Sequence, residues 1–223
     1  MTQKLLIIGL LFTIQGVFAQ SSWISLFDGK TLNGWRGYKN RDTKNWVVEN
    51  GGVLHCTNTV NDKKIRADLI TTEMYQDVEW SFEWKISKGG NSGVMFRVSE
   101  DYDQPYFTGP EYQLCDDNGF EPPVTELQKT GANYDMHLNT GAKPKPIGQW
   151  NTTRIVLKGK HVEHWLNGQK ALEYELHSLD WNARKEQSKW KTAPDYGMKA
   201  SGYLALQDHG SPAWFRKIKI RKL

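Results

Sequence analysis

Three features of the 223-residue sequence predict an all-β fold, an antiparallel two-sheet β-sandwich of jelly-roll type with one short helix. About twelve short segments alternate apolar and polar residues, which is the period of a half-buried strand. Tight-turn pairs such as Gly159-Lys160 and Asn167-Gly168 separate them, and only Leu179 to Trp190 reads as a convincing helix.

Residues 1–19 belong to targeting rather than to the fold. Lys4 supplies the positive start, Leu5 to Ile14 the apolar run, and Val17-Phe18-Ala19 a small-residue cleavage site before Gln20. The mature chain, residues 20–223, is therefore expected to be exported, periplasmic or extracellular, and to form one sandwich domain. The apolar run is shorter than the ~20 residues of a membrane span, and no later stretch approaches that length. No Cys follows the cleavage site to carry a lipid anchor.

Trp23 to Phe27 reads as the first strand, closed by Asp28-Gly29. Trp46-Val47-Val48 and Val53 to Cys56 form a hairpin about residues 49–52, and Asp68 to Thr72 a short strand. Val78 to Ile86 is the cleanest alternation: Val78, Trp80, Phe82, Trp84 and Ile86 point into a core. Glu79 and Glu83 share the other face, a solvated sheet surface rather than a catalytic pair. In the next strand Val94, Phe96 and Val98 share one face and Met95, Arg97 and Ser99 the other. After Gly109-Pro110, Glu111, Gln113 and Cys115 face one way, Tyr112 and Leu114 the opposite way. Residues 116–150 lose all periodicity under Pro122-Pro123, Gly131, Gly141, Pro144 and Pro146, a loop long enough to be functional. Strands Thr152–Lys158, His161–Leu166 and Lys170–Leu176 follow. Ser178 stands ready to cap the helix, and Gly202–Asp208 and Trp214–Leu223 close the fold.

The net charge of +4 is spread over the chain except for the run Arg216 to Lys222. Its alternation of basic and apolar residues suits an edge strand protected from pairing, and no nucleic-acid partner is expected. Ten Trp are many for this length, and indole faces commonly stack on sugars, although most Trp fill cores. Cys56 and Cys115 are the two thiols, and their separation in sequence leaves open whether they pair.

Familiar hydrolytic motifs are missing: no His-Glu-x-x-His, no Gly-x-Ser-x-Gly elbow and no phosphate loop occurs. Glu173-Tyr174-Glu175 is the nearest approach to a retaining carboxylate pair, but adjacent spacing sends the two acids to opposite faces. His161 and His164, three apart on a strand, likewise diverge and cannot share a metal without distortion. What remains is a polar floor containing Arg97, Glu111 and Gln113, joined by Asn91, Asp116, Tyr134, His164, Gln207, Asp208 and His209. His164 lies in the row of Val162 and Leu166, where a core histidine is the first expectation. His209 ends a strand, at a junction from which functional groups project.

Six segments in order resemble one family. They are Phe27 to Trp35, Asn91 to Arg97, Gly109 to Gln113, Gln149-Trp150-Asn151, His164 to Gly168 and Leu206 to Gly210. Together they are similar to the 3-keto-disaccharide hydrolase domain family, of concanavalin A-like fold, along essentially the whole mature chain. The resemblance implies an exported enzyme acting on 3-keto glycosides, with an oligosaccharide or keto-glycoside as its partner. A C3 carbonyl acidifies the hydrogen on C2, so one base can form an enolate that expels the C1 substituent, and water then adds to the enone. In this scheme Glu111 is the base and Arg97 or His209 stabilises the C3 oxygen. Asn91, Gln113 and Gln207 hold hydroxyls, with Asp116, Tyr134, His164 and Asp208 as further substrate contacts. A divalent cation on Asp116, Glu111 or His209 is the alternative electrophile. Arg97, Glu111 and His209 are expected to converge on the concave face of the sandwich. The rival is a non-catalytic carbohydrate-binding module in which Trp35, Trp46, Trp181 and Trp190 stack on sugars.

Overall fold

In the computed structural model the described residues are 22–57, 59 and 66–223. The expected export signal lies outside them. The strands are β1 (Ile24–Ser25), β2 (Trp35–Gly37), β3 (Trp46–Glu49), β4 (Val53–Cys56), β5 (Leu69–Thr71), β6 (Val78–Ile86), β7 (Asn91–Val98), β8 (Glu111–Cys115), β9 (Asn151–Lys158), β10 (His161–Leu166), β11 (Gln169–Glu175), β12 (Tyr203–Leu206) and β13 (Ala213–Lys222). They form two antiparallel sheets. The larger has the order β11-β10-β9-β6-β13-β4-β3 with β1 against β13, and the smaller runs β2-β5-β12-β7-β8.

The stripe on β6 sets the sandwich. Val78, Trp80, Phe82, Trp84 and Ile86 are all buried and meet Val94, Phe96, Tyr112, Leu114, Leu204 and Leu206 from the smaller sheet. On the opposite face of β6, Glu79 pairs with Arg154 at 2.7 Å and with Arg221, while Glu83 takes Arg216 and Lys217, both at 2.7 Å. Those pairs correct the expectation for the basic C-terminal run. β13 is an interior strand between β6 and β4, because its cations find the β6 carboxylates while Phe215, Ile218 and Ile220 sink into the core.

Turn chemistry behaves as the residues dictate. Leu166 pairs with Gln169 across Asn167-Gly168, whose positive φ values of 50° and 83° suit a primed two-residue turn. Ser178 accepts from the Trp181 amide at 3.1 Å and starts α1 (Leu179–Gln187). The helix is shorter than expected, since Ser188 caps a separate 3-10 turn over Lys189–Thr192. At the other end, the first strand shrinks to two residues. Cys56 and Cys115 are both buried and unbonded to each other.

One parity error matters for function. Arg97 takes φ 55°, and the register between β7 and β12 slips beside it. This bulge reverses the alternation, so Val98 joins Met95, Ile70, Ala205 and Tyr38 in a small cluster on the outer face of the smaller sheet. Arg97 itself turns inward and donates to the Gly159 carbonyl.

His164 is fully buried among Phe96, Tyr112 and Tyr174, with Nδ1 3.1 Å from the Gly131 carbonyl. Burial lowers its pKa to about 3, and that of His137, stacked on Tyr174, to about 4. A histidine held neutral in the fold gives stability that is full above its unfolded value near 6.5 and lost as pH falls toward the folded value. The melting temperature should therefore drop between pH 6.5 and 4, and His164→Gln should flatten that slope by up to one proton, roughly 1.4 kcal/mol per pH unit. Melts at stepped pH check this; an unchanged slope would remove His164 from the acid response.

Candidate functional site

The polar floor lies on the face of the smaller sheet turned away from the core. Tyr112 and Leu114 are buried between the sheets, which sends Glu111 and Gln113 outward. Directly across the β7–β8 ladder, Met95 pairs with Glu111, Gly93 with Gln113 and Asn91 with Cys115. Gly93 is what makes room. A Cβ there would stand 2.9 Å from Glu111 Cγ and Cδ, so any side chain at 93 would displace the carboxyl. Gln207 reaches the same floor because its amide donates to the Gly93 carbonyl at 2.9 Å, extending the β12–β7 ladder by one residue.

These residues line a cavity of about 210 Å³ together with Tyr106, Tyr134, Lys189 and His209. A polar chain crosses its floor: Gln113 Nε2 donates to Asn91 Oδ1 at 3.3 Å, and Asn91 Nδ2 lies 3.4 Å from His209 Nε2. The wall comes from the long loop and the helical segment, tied to each other. The Tyr134 amide donates to the Glu111 carbonyl at 3.0 Å, the Trp190 indole to the Tyr134 carbonyl at 2.9 Å, and the Lys189 amide to Asp135 at 2.8 Å. Lys189, still open to solvent, holds Nζ 4.0 Å above the Tyr134 ring.

Glu111 is 5 % exposed and forms no ion pair among the described residues. Burial raises its pKa to about 7, the positive field of Lys189 and a hydrogen bond from the Gln207 side chain pull it down, and the charge of Asp68 adds to the rise. A carboxyl so placed is half ionised near neutrality, where general bases work best.

A second lobe of about 380 Å³ continues from the first, sharing Tyr106, Gln207 and His209 and adding Arg41, Arg66, Asp68, Gln104, Asp208 and Gly210. Here Asp68 Oδ1 accepts the Asp208 amide at 2.7 Å, and Asp208 accepts Asn45 Nδ2 at 2.9 Å and the Gly210 amide at 3.0 Å.

The structure brings Asn91, Glu111, Gln113, Tyr134, Gln207, Asp208 and His209 to this two-lobed cleft, and leaves three expected residues out. Arg97 is diverted by its bulge to the far side of the sheet, so it neither pairs with Glu111 nor faces the cleft. His164 is core, and its aromatic surroundings leave no path to a ligand. Asp116 caps the β8 end by accepting the Gly89 amide at 2.9 Å and faces a different cavity. Of the three carriers considered for a cation, Asp116 stands apart, and Glu111 and His209 share the cleft. Among the described residues the group within reach of one ion is His161, Glu163 and Glu173, on the outer face of the larger sheet, where Lys170 already sits 2.8 and 2.6 Å from the two carboxylates. The four candidate stacking indoles do not serve the cleft, since Trp35, Trp46, Trp181 and Trp190 are all buried.

Sequence reading missed Lys189, Tyr106, Arg41, Arg66 and Asp68. Lys189 fell within the expected helix and Tyr106 between two expected strands, with nothing to single either out. Asp68 carried a usable signal: it opens a strand, the kind of junction that singled out His209.

Glu111 also has a thermodynamic signature. Its folded pKa lies above the unfolded 4.5, so its contribution to stability is full below pH 4.5 and lost as pH rises through about 7. Glu111→Gln, neutral at every pH, should melt higher than the parent at pH 8 to 9 and alike at pH 4. A variant that melts lower at pH 9 would show that the carboxylate is stabilised in the fold.

Comparison with known proteins identifies the family. The family model described as a 3-keto-alpha-glucoside-1,2-lyase-like domain matches residues 22–221. A 3-keto-disaccharide hydrolase of Bacteroides thetaiotaomicron is 33 % identical, covering 90 % of this chain and 78 % of that protein. Two crystal structures of candidate glycosyl hydrolases from Parabacteroides distasonis superpose with TM-scores of 0.83 and 0.70. They are 38 % and 26 % identical and cover 90 % and 91 % of this chain and 94 % and 100 % of theirs. The sandwich itself is shared more widely, as with a galectin-like protein of Bacillus subtilis at 14 % identity and TM-score 0.52, covering 92 % of this chain and 96 % of that one. With the family model spanning all but the chain's two ends, this protein belongs to the 3-keto-α-glucoside-1,2-lyase-like domain family.

Proposed function

We propose that this protein cleaves 3-keto glycosides, after export, by removing the C2 proton of the keto sugar with Glu111. The observation that carries the reading is a buried carboxyl on the floor of a polar cavity, without an ion pair among the described residues and with its pKa lifted to about 7. The hydrogen α to a C3 ketone is acidic enough for such a base, whereas an intact glycoside would need a carboxylate pair on the scissile bond. As Glu111 takes the proton, charge passes to the C3 oxygen. Lys189 and His209 line the same lobe and supply the positive charge and hydrogen bonding that an enolate needs. Asn91, Gln113 and Gln207 offer amides to the hydroxyls, and Gln113 Oε1 and Gln207 Oε1 have no protein partner among the described residues. A sugar hydroxyl satisfies such an acceptor, and leaving it empty is costly. The enolate then expels the C1 substituent, and water adds to the enone.

The test is turnover of 3-keto trehalose. Glu111→Gln should lose roughly 10²-fold or more in kcat, and with it exchange of the C2 hydrogen into deuterium oxide, while the keto sugar still binds. Because the base must be ionised, kcat/KM of the parent should climb as pH rises toward about 7. Parent-level turnover by the variant would take Glu111 out of the mechanism. Saturable binding with no turnover by the parent would favour a binding module.

A further inference from the structure

We propose that Asp68 is the general acid of the cleft, protonating the glycosidic oxygen as it leaves C1, and that the lobe around it receives the departing group. This rests on the Glu111 reading above and extends it to a residue in the neighbouring lobe.

Elimination has two proton problems at two places. Glu111 solves the one at C2. The leaving oxygen of a sugar or alkyl alcohol is a poor departing anion, and a proton from a fixed donor speeds its departure. Asp68 lines the lobe that adjoins the Glu111 cavity, and the two lobes share Tyr106, Gln207 and His209 as their common wall. Its position is fixed: Oδ1 accepts the Asp208 amide at 2.7 Å, which ties the carboxyl to the residue between Gln207 and His209. Because Oδ1 is engaged as an acceptor, the proton of the neutral acid belongs on Oδ2.

The surroundings keep that proton available. Burial of the carboxyl and the charge of Asp208 raise the Asp68 pKa to about 7, against the pull of the Asp208 amide and of Arg41 and Arg66. Glu111 and Asp68 each add to the raised pKa of Tyr106 between them, and Asp68 raises Glu111. Two carboxyls that disfavour each other's ionisation share charge well: one works as base while the other keeps its proton. His209 stands on the shared wall, and the buried Cys56 thiol lies in the field of Asp68 and Asp208. The second lobe, at about 380 Å³ against about 210 Å³, is the roomier one, and its Arg41, Arg66 and Gln104 offer donors to a hydroxylated leaving group.

The steps balance. Glu111 carboxylate removes hydrogen from C2, and the electron pair of that C–H bond moves into the enolate. The enolate re-forms the C3 carbonyl and makes C1=C2 as the C1–O bond breaks. The departing oxygen keeps that electron pair and takes the Asp68 proton, leaving an alcohol, an enone, protonated Glu111 and ionised Asp68. Hydration runs in reverse: Asp68 carboxylate takes a proton from water as its oxygen bonds C1, and Glu111 returns hydrogen to C2. Both carboxyls are then restored.

The purified full chain and Asp68→Asn are compared on two 3-keto glucosides, one releasing methanol and one releasing 2,4-dinitrophenol, whose anion needs no proton. A third compound, 3-keto-1,5-anhydroglucitol, has no leaving group and reports C2 exchange alone. Asp68→Asn should lose 10²- to 10⁴-fold on the methyl glycoside, stay within about tenfold on the dinitrophenyl one, and exchange the C2 hydrogen of the anhydro sugar at the parent rate. Equal losses on both glycosides, or parent rates on both, would overturn the role of Asp68. If Asp68→Asn does not fold, the parent decides: little change in kcat/KM between the two glycosides supports the acid, and a steep fall for methyl overturns it. A parent that fails to exchange the anhydro sugar would instead strike the Glu111 reading itself.

Discussion

A strand has two faces, and burying one commits the other; the cleft depends on that constraint. Tyr112 and Leu114 are sunk between the sheets, so Glu111 and Gln113 have to face outward. The same rule applied to Val94 and Phe96 on β7 leaves Asn91, Gly93 and Met95 beside them. Core packing thus assembles a polar row without any attraction between its members. Gly93 then converts the row into a socket, because only a residue with no Cβ leaves space for the Glu111 carboxyl. Where the rule is interrupted, at the Arg97 bulge, the cleft ends: Val98 replaces Arg97 on the outer face and an apolar cluster begins.

The cleft is held at an electrostatic cost. Raising a carboxyl from 4.5 to about 7 is worth on the order of 3 kcal/mol against the ionised form, a sizeable part of a domain's net stability. On the larger sheet the same protein neutralises Glu79 and Glu83 with two cations each, using residues of β9 and β13. Cations for pairing were therefore available, and among the described residues neither Glu111 nor Asp68 forms an ion pair. Lys189 acts on Glu111 only through space, Arg66 comes no nearer than 4.0 Å to Asp208 in the other lobe, and both retain freedom to meet a ligand. Strain of this kind concentrates where a protonation state has to change.

Much of the fold was legible because it obeys period two and turn chemistry. The β6 stripe, the hairpin at Asn167-Gly168 and the Ser178 cap are local signals, and each appears where the residues place it. The basic run at the C-terminus misled, since a strand that alternates cations with apolar residues looks like an edge until the partner carboxylates on β6 are known. Of the site, Glu111, Gln113, Asn91 and Gln207 could be found from strand parity and strand ends. Arg97 could not be excluded, because a bulge leaves no mark on hydrophobic alternation when the flipped residue is long enough to reach a carbonyl in either direction. Lys189 and Asp68 are contributed by a helical turn and a strand start far apart in sequence, and only the packing of the loop wall joins them to Glu111.

The fate of the tryptophans bears on what kind of sugar site this is. Trp35, Trp46, Trp181 and Trp190 are consumed by the core, where Trp190 stacks on Tyr196 at 4.4 Å and donates to the loop that carries Tyr134. They shape the cleft from behind and do not enter it. A site that binds sugars for retention gains from flat aromatic platforms, whose contact is much the same for ground state and transition state. The cleft offers a different surface: amides with unfilled acceptors, a base near its working pH and cations at the places where negative charge grows. In the proposed reaction these are the interactions that would strengthen as a proton leaves C2, and such a preference for the transition state is what separates a catalyst from a lectin on the same sandwich.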